Sequence, residues 1–319
     1  MEIAVEGKRM ARVLVTGGTG FLGRSVVRWL VGLGHEVRCL IRSTSALDPM
    51  AGRSVEYWRG DVTDQVSLPG ALEDIDVVVH LVAVIREQPS KGITFERINV
   101  QGTRNLVDAA RKAEIKRFVH ISAIGVQPNP DFPYWNTKWQ GEQAVRRSGL
   151  PWTVFRPSLL IGEGGDFIGR LRDLVLKPPA GLFPGPPVVP VLGDGKTKFQ
   201  PVFVEDAARC IALAVGETTS EDKLYSIGGP DVWTYEQILD LVMETLGKRR
   251  WKLHVPMALA MPNIKLAELV LSDAPVTAGQ AAMLAYDNIA ENTDVIEQAF
   301  GFKPKGLRKI IGFLKVSGG

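Results

Sequence analysis

Cysteine is scarce in this chain of 319 residues: Cys39 and Cys210 are its only two. Neither belongs to a Cys-x-x-Cys pair, so a disulfide framework and a thiolate metal site are not expected, and a reducing, cytoplasmic compartment fits. The four histidines, His35, His80, His120 and His254, show no ligand spacing, so no metal is expected. No apolar run reaches the ~18 residues of a membrane span, and no transmembrane segment is expected. The stretch from Met1 to Met10 is too polar for a secretory signal and reads as a short extension, 1–10, before the first strand. Neither sign of charge dominates; a net charge of +3 demands no nucleic-acid partner. The hydrophobic fraction of 45% is ordinary for a globular protein and sufficient for a full core. The length allows one large or two small domains.

What the chain does have is glycine at a telling spacing. Val13-Leu14-Val15-Thr16-Gly17-Gly18-Thr19-Gly20-Phe21-Leu22-Gly23 runs from an apolar strand through a turn into a helix. Gly17 allows the tight turn, Gly20 lets backbone N–H groups approach a pyrophosphate, and Gly23 lets the helix lie close on the strand. Phe21, Leu22, Val26, Val27, Leu30 and Val31 carry the apolar spacing of that helix. Its N-terminus, with unpaired N–H groups and the positive end of the dipole, is suited to phosphate. A dinucleotide site over Gly17, Thr19, Gly20, Phe21, Leu22 and Gly23 is therefore expected.

Strands and helices alternate beyond this turn. Apolar runs fall at 12–15, 36–41, 55–59, 76–82, 117–121 and 152–156, with helical stretches at 23–32, 67–72, 95–113 and 134–148. This order predicts an α/β fold: a Rossmann-type, doubly wound parallel sheet with a smaller, mostly helical C-terminal substrate region. The expected division is a dinucleotide-binding domain over 11–162 and a substrate or cap region over 163–319, with about 199–216 returning to the sheet. The part from about 223 to 315 reads as mostly helical.

The end of the second strand indicates which dinucleotide. A carboxylate there would favour NAD through the ribose 2′-OH. This chain has Leu40-Ile41-Arg42-Ser43-Thr44-Ser45 instead. A guanidinium with hydroxyls nearby suits a 2′-phosphate, so NADP(H) is preferred, with NAD(H) second. Asp61 and Val62 are placed to meet the adenine. Leu81, Val82 and Ala83 are placed beside the ribose and phosphates.

Tyr134-Trp135-Asn136-Thr137-Lys138 sets a tyrosine and a lysine four apart on one helical face. An ammonium beside a phenol favours the phenolate, which predicts a general acid or base at a carbonyl or carbinol. With the motifs Gly60-Asp61-Val62, His80-Leu81-Val82-Ala83, Asn99-Val100-Gln101-Gly102-Thr103 and Arg156-Pro157-Ser158, the chain resembles the extended or atypical short-chain dehydrogenase/reductase superfamily. More narrowly it is similar to the group that contains the NADPH-binding accessory subunit of respiratory complex I. Those marks are Gln200-Pro201-Val202-Phe203-Val204-Glu205-Asp206, Ile227-Gly228-Gly229-Pro230 with Thr234-Tyr235, and Ala282-Met283-Leu284 with Asp287-Asn288. The resemblance implies Tyr134, Lys138 and Ser122 as catalytic residues, with Lys138 and Pro157 also at the cofactor. It carries one departure: extended members often place the catalytic hydroxyl one residue later, where this chain has Ala123.

The segment 177–192 is rich in Pro, Gly, Val, Leu and Phe, including Leu182-Phe183-Pro184-Gly185-Pro186-Pro187-Val188-Val189. It reads either as an apolar lid, which suits a small apolar or isoprenoid-like substrate, or as a loop packed on its own domain. Leu307, Ile310, Ile311 and Leu314 form a stripe flanked by Lys305, Arg308, Lys309 and Lys315. Such a stripe docks on its own core or rests on an anionic membrane surface or a respiratory-complex partner. Two functions follow: an NADP(H)-dependent oxidoreductase, or a non-catalytic subunit that holds NADPH. A redox-sensing regulator ranks third.

Overall fold

The structure, a computed structural model, describes residues 10–42, 55–177, 188–270 and 276–318. The chain divides into two compact units, one of residues 1–157, 204–227 and 298–301, the other of residues 158–203, 228–297 and 302–319.

The first unit opens with β1 (Arg12–Thr16), α1 (Phe21–Gly32), β2 (Glu36–Ile41), β3 (Val55–Arg59), α2 (Leu68–Ala71) and β4 (Val77–His80). It continues with α3 (Thr103–Lys112), β5 (Arg117–Ile121), α4 (Pro133–Arg146) and β6 (Trp152–Pro157). The second unit begins with β7 (Leu160–Ile161), α5 (Asp166–Leu176), β8 (Val188–Leu192), β9 (Lys198–Phe199) and β10 (Val202–Phe203). The chain then returns to the first unit for α6 (Val204–Gly216) and β11 (Lys223–Ile227). It ends with β12 (Trp233–Thr234), α7 (Tyr235–Thr245), β13 (Trp251–Val255), α8 (Met257–Val270), α9 (Ala278–Met283), α10 (Val295–Phe300) and α11 (Leu307–Ile310).

Seven strands form one sheet in the order β11-β6-β5-β4-β1-β2-β3. Every neighbouring pair is parallel. The strands are apolar because both faces are covered: Val13, Leu14 and Val15 of β1 are fully buried, as are Val78 and Val79 of β4. Helix α1 buries Leu22, Val26, Val27 and Leu30, and α3 buries Leu106, Val107 and Ala110. The strand order reverses between β1 and β4, the position where open α/β sheets leave a crevice at their carboxyl ends. Helix α6 packs on α1. Its Glu205 accepts from Ser25 Oγ (2.6 Å) and Trp29 Nε1 (3.1 Å) and pairs with Arg28 (2.6 Å).

Several elements differ from the sequence expectation. The run at 76–82 leaves the sheet after His80, so Leu81, Val82 and Ala83 are loop. The helix over 67–72 is a 3-10 turn, Gln65–Ser67, followed by α2; the Asp64 carboxylate caps that turn at Val66 N (3.1 Å). The helix over 95–113 begins as a π-helical stretch, Glu96–Gly102. In the expected return at 199–216, only α6 joins the first unit. Strands β9 and β10 pair instead with β12 and β7, separated by Pro201, which has no N–H to donate to a ladder. The strand that extends the large sheet is β11, in a part read as helical. It is a short, half-buried edge strand and lacks the apolar alternation that would reveal it.

Among the described residues of the second unit the sheets are two-stranded: β7 with β10, β9 with β12, β8 with β13. Its core comes from α5, α7 and the C-terminal segment. Leu307, Ile310, Ile311 and Leu314 lie inside that core and are all buried. Of the two expectations for the C-terminal stripe, its apolar side chains follow the first: they are spent on the unit's own core. Three of the narrower sequence marks meet in one hydrogen-bonded knot. Gln200, fully buried, donates to Gly229 O (2.7 Å) and accepts from Ala290 N (2.9 Å), while Ser158 Oγ bonds Asn288 Oδ1 (2.7 Å). A Cβ at Gly228 would sit 2.3 Å from the Gln200 amide carbon, so only glycine fits there.

Candidate functional site

A cavity of about 330 Å³ opens in the first unit at the carboxyl ends of β1, β2, β3 and β4. It is lined by Gly17, Thr19 and Gly20 from the β1–α1 turn, Arg42 after β2, Asp61 and Val62 after β3, and Leu81, Val82 and Ala83 after β4. Sequence reasoning named all nine. The turn is built by backbone constraints. Gly17 has φ +78°, and a Cβ there would lie 3.1 Å from the Leu81 carbonyl carbon and 3.2 Å from Val82 N. Gly20 N donates to Gly17 O (3.0 Å) and closes the turn. Gly23 has a different part from the one expected. Its missing Cβ would sit 2.0 Å from Gly17 O and 2.7 Å from Gly18 Cα, so it packs the helix against the turn itself rather than the strand. Phe21, Leu22 and Gly23 shape α1 but do not line the cavity.

The residues present fit a dinucleotide phosphate. Helix α1 has no side-chain cap and no acidic residue in its first turn, so its N-terminal N–H groups and dipole are left for an anion. Cations dominate the rim. Arg42, Lys91 and Arg97 all line the cavity, and no carboxylate among the described residues forms an ion pair with them. The lining carboxylate, Asp61, accepts from Thr63 N (2.8 Å). Ser43, Thr44 and Ser45, the hydroxyls named beside Arg42, lie outside the described residues.

Tyr134 stands in the first turn of α4, half-buried, its ring edge-on to Phe95 at 6.0 Å. Lys138 follows one turn later and is 3% exposed. Its ammonium donates to Ile121 O at the end of β5. Burial lowers the lysine to about 8, opposed by the Glu142 carboxylate. Glu142 is in turn held by Arg156 through two bonds of 2.8 Å. Burial also pushes the Tyr134 phenol up to about 12. The expected lowering of the phenol by the lysine is therefore reversed in this fold, because desolvation of the phenolate dominates.

Ser122 is 3% exposed, and its hydroxyl has no hydrogen-bond partner among the described residues. Ala123 is the partly exposed residue after β5. Pro157, at the end of β6, is buried and accepts from Ile124 N (3.2 Å). None of Tyr134, Lys138, Ser122 and Pro157 lines the cavity.

Sequence reasoning gave no role to four residues of this region. Lys91 and Arg97 come from a polar stretch with no pattern that places them at the cavity. Asn99 stood in a motif without a task. Its amide accepts from Val84 N (2.9 Å) and donates to Val84 O (3.2 Å), which pins the loop after β4. His80, fully buried, lies 2.7 Å from Thr16 Oγ1 and 3.0 Å from Thr103 Oγ1. The Thr103 hydroxyl donates to Asn99 O (2.8 Å), so it must accept from His80 Nε2–H, and His80 Nδ1 accepts from Thr16. A buried histidine amid apolar strand residues is the signal that would have found it. Burial first, and then Lys138, pull its pKa down to about 3.

Known proteins share this architecture. A UDP-glucose- and NAD-bound structure of MoeE5 covers 96% of this chain and 97% of its own, with a TM-score of 0.70 and 22% identity. A UDP-glucose 4-epimerase from Thermotoga maritima gives a TM-score of 0.69 at 20% identity, covering 96% and 97%. At these identities the likeness shows the fold. Among curated sequences, the mitochondrial NADH dehydrogenase [ubiquinone] 1 alpha subcomplex subunit 9 of Arabidopsis thaliana is 29% identical over 77% of this chain and 61% of its own length. The isoflavone reductase homolog IRL of Zea mays is 28% identical over 82% of this chain and 83% of its own. The photosystem II assembly factor Ycf39 of Synechocystis is 27% identical over 77% and 71%. The match to the Arabidopsis subunit spans less than two thirds of that relative. Residues 13–228, from β1 through the last strand of the large sheet, match the NAD dependent epimerase/dehydratase family, and the chain belongs to that family.

Proposed function

We propose that the chain is an NADP(H)-dependent oxidoreductase acting on an apolar carbonyl or a quinone- or isoprenoid-like substrate. The observation that carries the cofactor choice is Arg42, which lines the same cavity as Gly17 and Gly20, with no carboxylate at the tip of β2. Lys91 and Arg97 add positive charge to that cavity. When bound, the dinucleotide supplies or accepts the hydride. The chain's own residues do the rest. Gly17 and Gly20 admit the pyrophosphate to the α1 N-terminus, and Arg42 pairs with the 2′-phosphate. Tyr134 passes a proton to the substrate oxygen, and Lys138, held near 8 by burial, exchanges protons close to neutral pH. The substrate class rests on the apolar composition of 177–192, of which 178–187 lies outside the described residues. The reductase named among the relatives supports the reaction type.

Three observations favour a second reading, a non-catalytic subunit that holds NADPH for a larger assembly. The hydroxyl of Ser122 is buried, the more open position after β5 is Ala123, and the phenol of Tyr134 stands near 12. A complex I subunit and a photosystem II assembly factor stand among the relatives. In that reading the chain sits at a membrane periphery; no helix among the described residues is long and apolar enough to cross one.

Titration with NADPH and NADH tests the cofactor. Arg42→Asp is expected to weaken NADPH by about thirtyfold or more, the scale of a charge-assisted hydrogen bond, with NADH nearly unchanged. An unaltered preference overturns NADP(H). Turnover of a quinone, aldehyde and ketone panel, lost in Tyr134→Phe, supports the enzyme. Tight NADPH binding without turnover in either protein supports the subunit.

A further inference from the structure

Among the described residues of the second unit, an apolar surface is left open along residues 251–270. Trp251 and Leu253, two apart in β13 and so on one face of that strand, are 70% and 46% exposed. Pro256 then leads into α8, whose sequence Met257-Ala258-Leu259-Ala260-Met261-Pro262-Asn263-Ile264-Lys265-Leu266-Ala267-Glu268-Leu269-Val270 holds only two charges. This helix is apolar on two sides. Ala260, Met261, Ile264 and Ala267 share one face and are buried or half-buried, and α8 packs on α9. Leu259, Leu266 and Val270, spaced seven and four apart, form a second stripe that is 65%, 60% and 71% exposed. An exposed apolar surface of this extent marks an interaction site.

The charges say what covers it. Between positions 248 and 270 the chain carries Lys248, Arg249, Arg250, Lys252 and Lys265 against one carboxylate, Glu268. Two of the cations are engaged within the unit: Lys252 with Glu236 (2.6 Å) and Asp240 (2.9 Å), and Arg250 with Val175 O (2.9 Å). Lys248, Arg249 and Lys265 are exposed, with no ion pair among the described residues. Glu268 is turned to the helix that follows, where it accepts from Ala278 N (2.9 Å). An exposed leucine stripe, a protruding tryptophan and a flank of available cations are the features of an element lying in the headgroup layer of an anionic membrane. A partner that covered only apolar area would leave those cations unmatched.

We propose that β13 and α8 dock this protein on an anionic phospholipid surface, with Trp251, Leu259, Leu266 and Val270 entering the interface and Lys248, Arg249 and Lys265 meeting the headgroups. The surface lies on a different part of the chain from the 307–314 stripe, which is spent on the core. It does not depend on whether hydride transfer occurs.

Co-sedimentation of the full chain with vesicles tests it, comparing phosphatidylcholine alone with phosphatidylcholine containing phosphatidylserine. Binding is expected only with phosphatidylserine. Leu259→Glu with Leu266→Glu, and separately Lys248→Glu with Arg249→Glu, are each expected to reduce it by about tenfold or more. Circular dichroism and thermal unfolding of the full chain report that the variants remain folded; Leu259→Ser is the milder substitute if they do not. Absence of binding to both vesicles overturns the proposal. So does binding that ignores phosphatidylserine and Lys248/Arg249. Light scattering that shows a dimer in the wild type and a monomer in Leu259→Glu also overturns it, since a second copy then covers the face.

Discussion

The first unit is held by one continuous sheet and the second by joints. In the first, seven parallel strands share one register, and the site follows from glycines whose missing Cβ atoms let β1, α1 and the end of β4 approach each other. In the second, three two-stranded sheets are tied by a helical core and by the knot around Gln200. Backbone proximity shapes the site of the first unit; in the second, close approach at Gly228 is joined by the side-chain hydrogen bonds of Gln200. An added methyl is therefore expected to disrupt the first unit at Gly23, and the loss of one amide to disrupt the second at Gln200.

The largest effect is expected at Gly23. Gly23→Ala puts a methyl 2.0 Å from Gly17 O and should cost about 3 kcal/mol or more, with dinucleotide binding lost, as read by urea unfolding and cofactor titration. Tight binding in this variant would break the backbone account of the first unit. Next comes Gln200→Ala, which strands Gly229 O and Ala290 N in the buried knot. It should cost about 3 kcal/mol and raise hydrogen exchange in the second unit alone.

The units should also part company in acid. His80 and His120 of the first unit are buried and neutral, with pKa values held below the usual 6.5 by burial and by Lys138. The unfolded chain takes up their protons below pH 6.5 and the fold does not, so their contribution is intact above that pH and lost as pH falls. The expected loss is about 1.4 kcal/mol per pH unit for each histidine at most. Both histidines belong to the first unit, so exchange at pH 6.5 and 5 should show that unit loosening as the pH falls. The smallest effect is a gain. Gly169, inside α5, has no atom beyond its own helix backbone within 4 Å of the place a methyl would take, among the described residues, and Gly169→Ala should stabilise by about 0.5–1 kcal/mol in thermal unfolding.

Legibility follows the same division. The strands β2, β3 and β5 run as their apolar runs indicated, and the cavity gathers Gly17, Thr19, Gly20, Arg42, Asp61, Val62, Leu81, Val82 and Ala83 from four strand ends. Those residues were readable because the βα repeat carries a period, and glycine spacing encodes a local backbone path. Strand β11 was not readable, since an edge strand of five residues needs no strict alternation. Arg97 and Lys91 reach the cavity from a π-helical stretch and a short turn, neither of which has a sequence period of its own. The behaviour of Tyr134 could not be read either: spacing put a lysine one turn away, but burial decided the direction in which the phenol shifts.

The sequence by itself determined the parallel α/β layering, the dinucleotide turn and the choice of residues at the strand ends, because these depend on contacts within a few positions along the chain. Tertiary structure alone decided that the C-terminal stripe is core, that the α8 stripe is not, that Ser122 is closed off and that Lys138 is shifted to about 8. Each of those depends on which distant segments remove water from a side chain, and no local pattern carries that information.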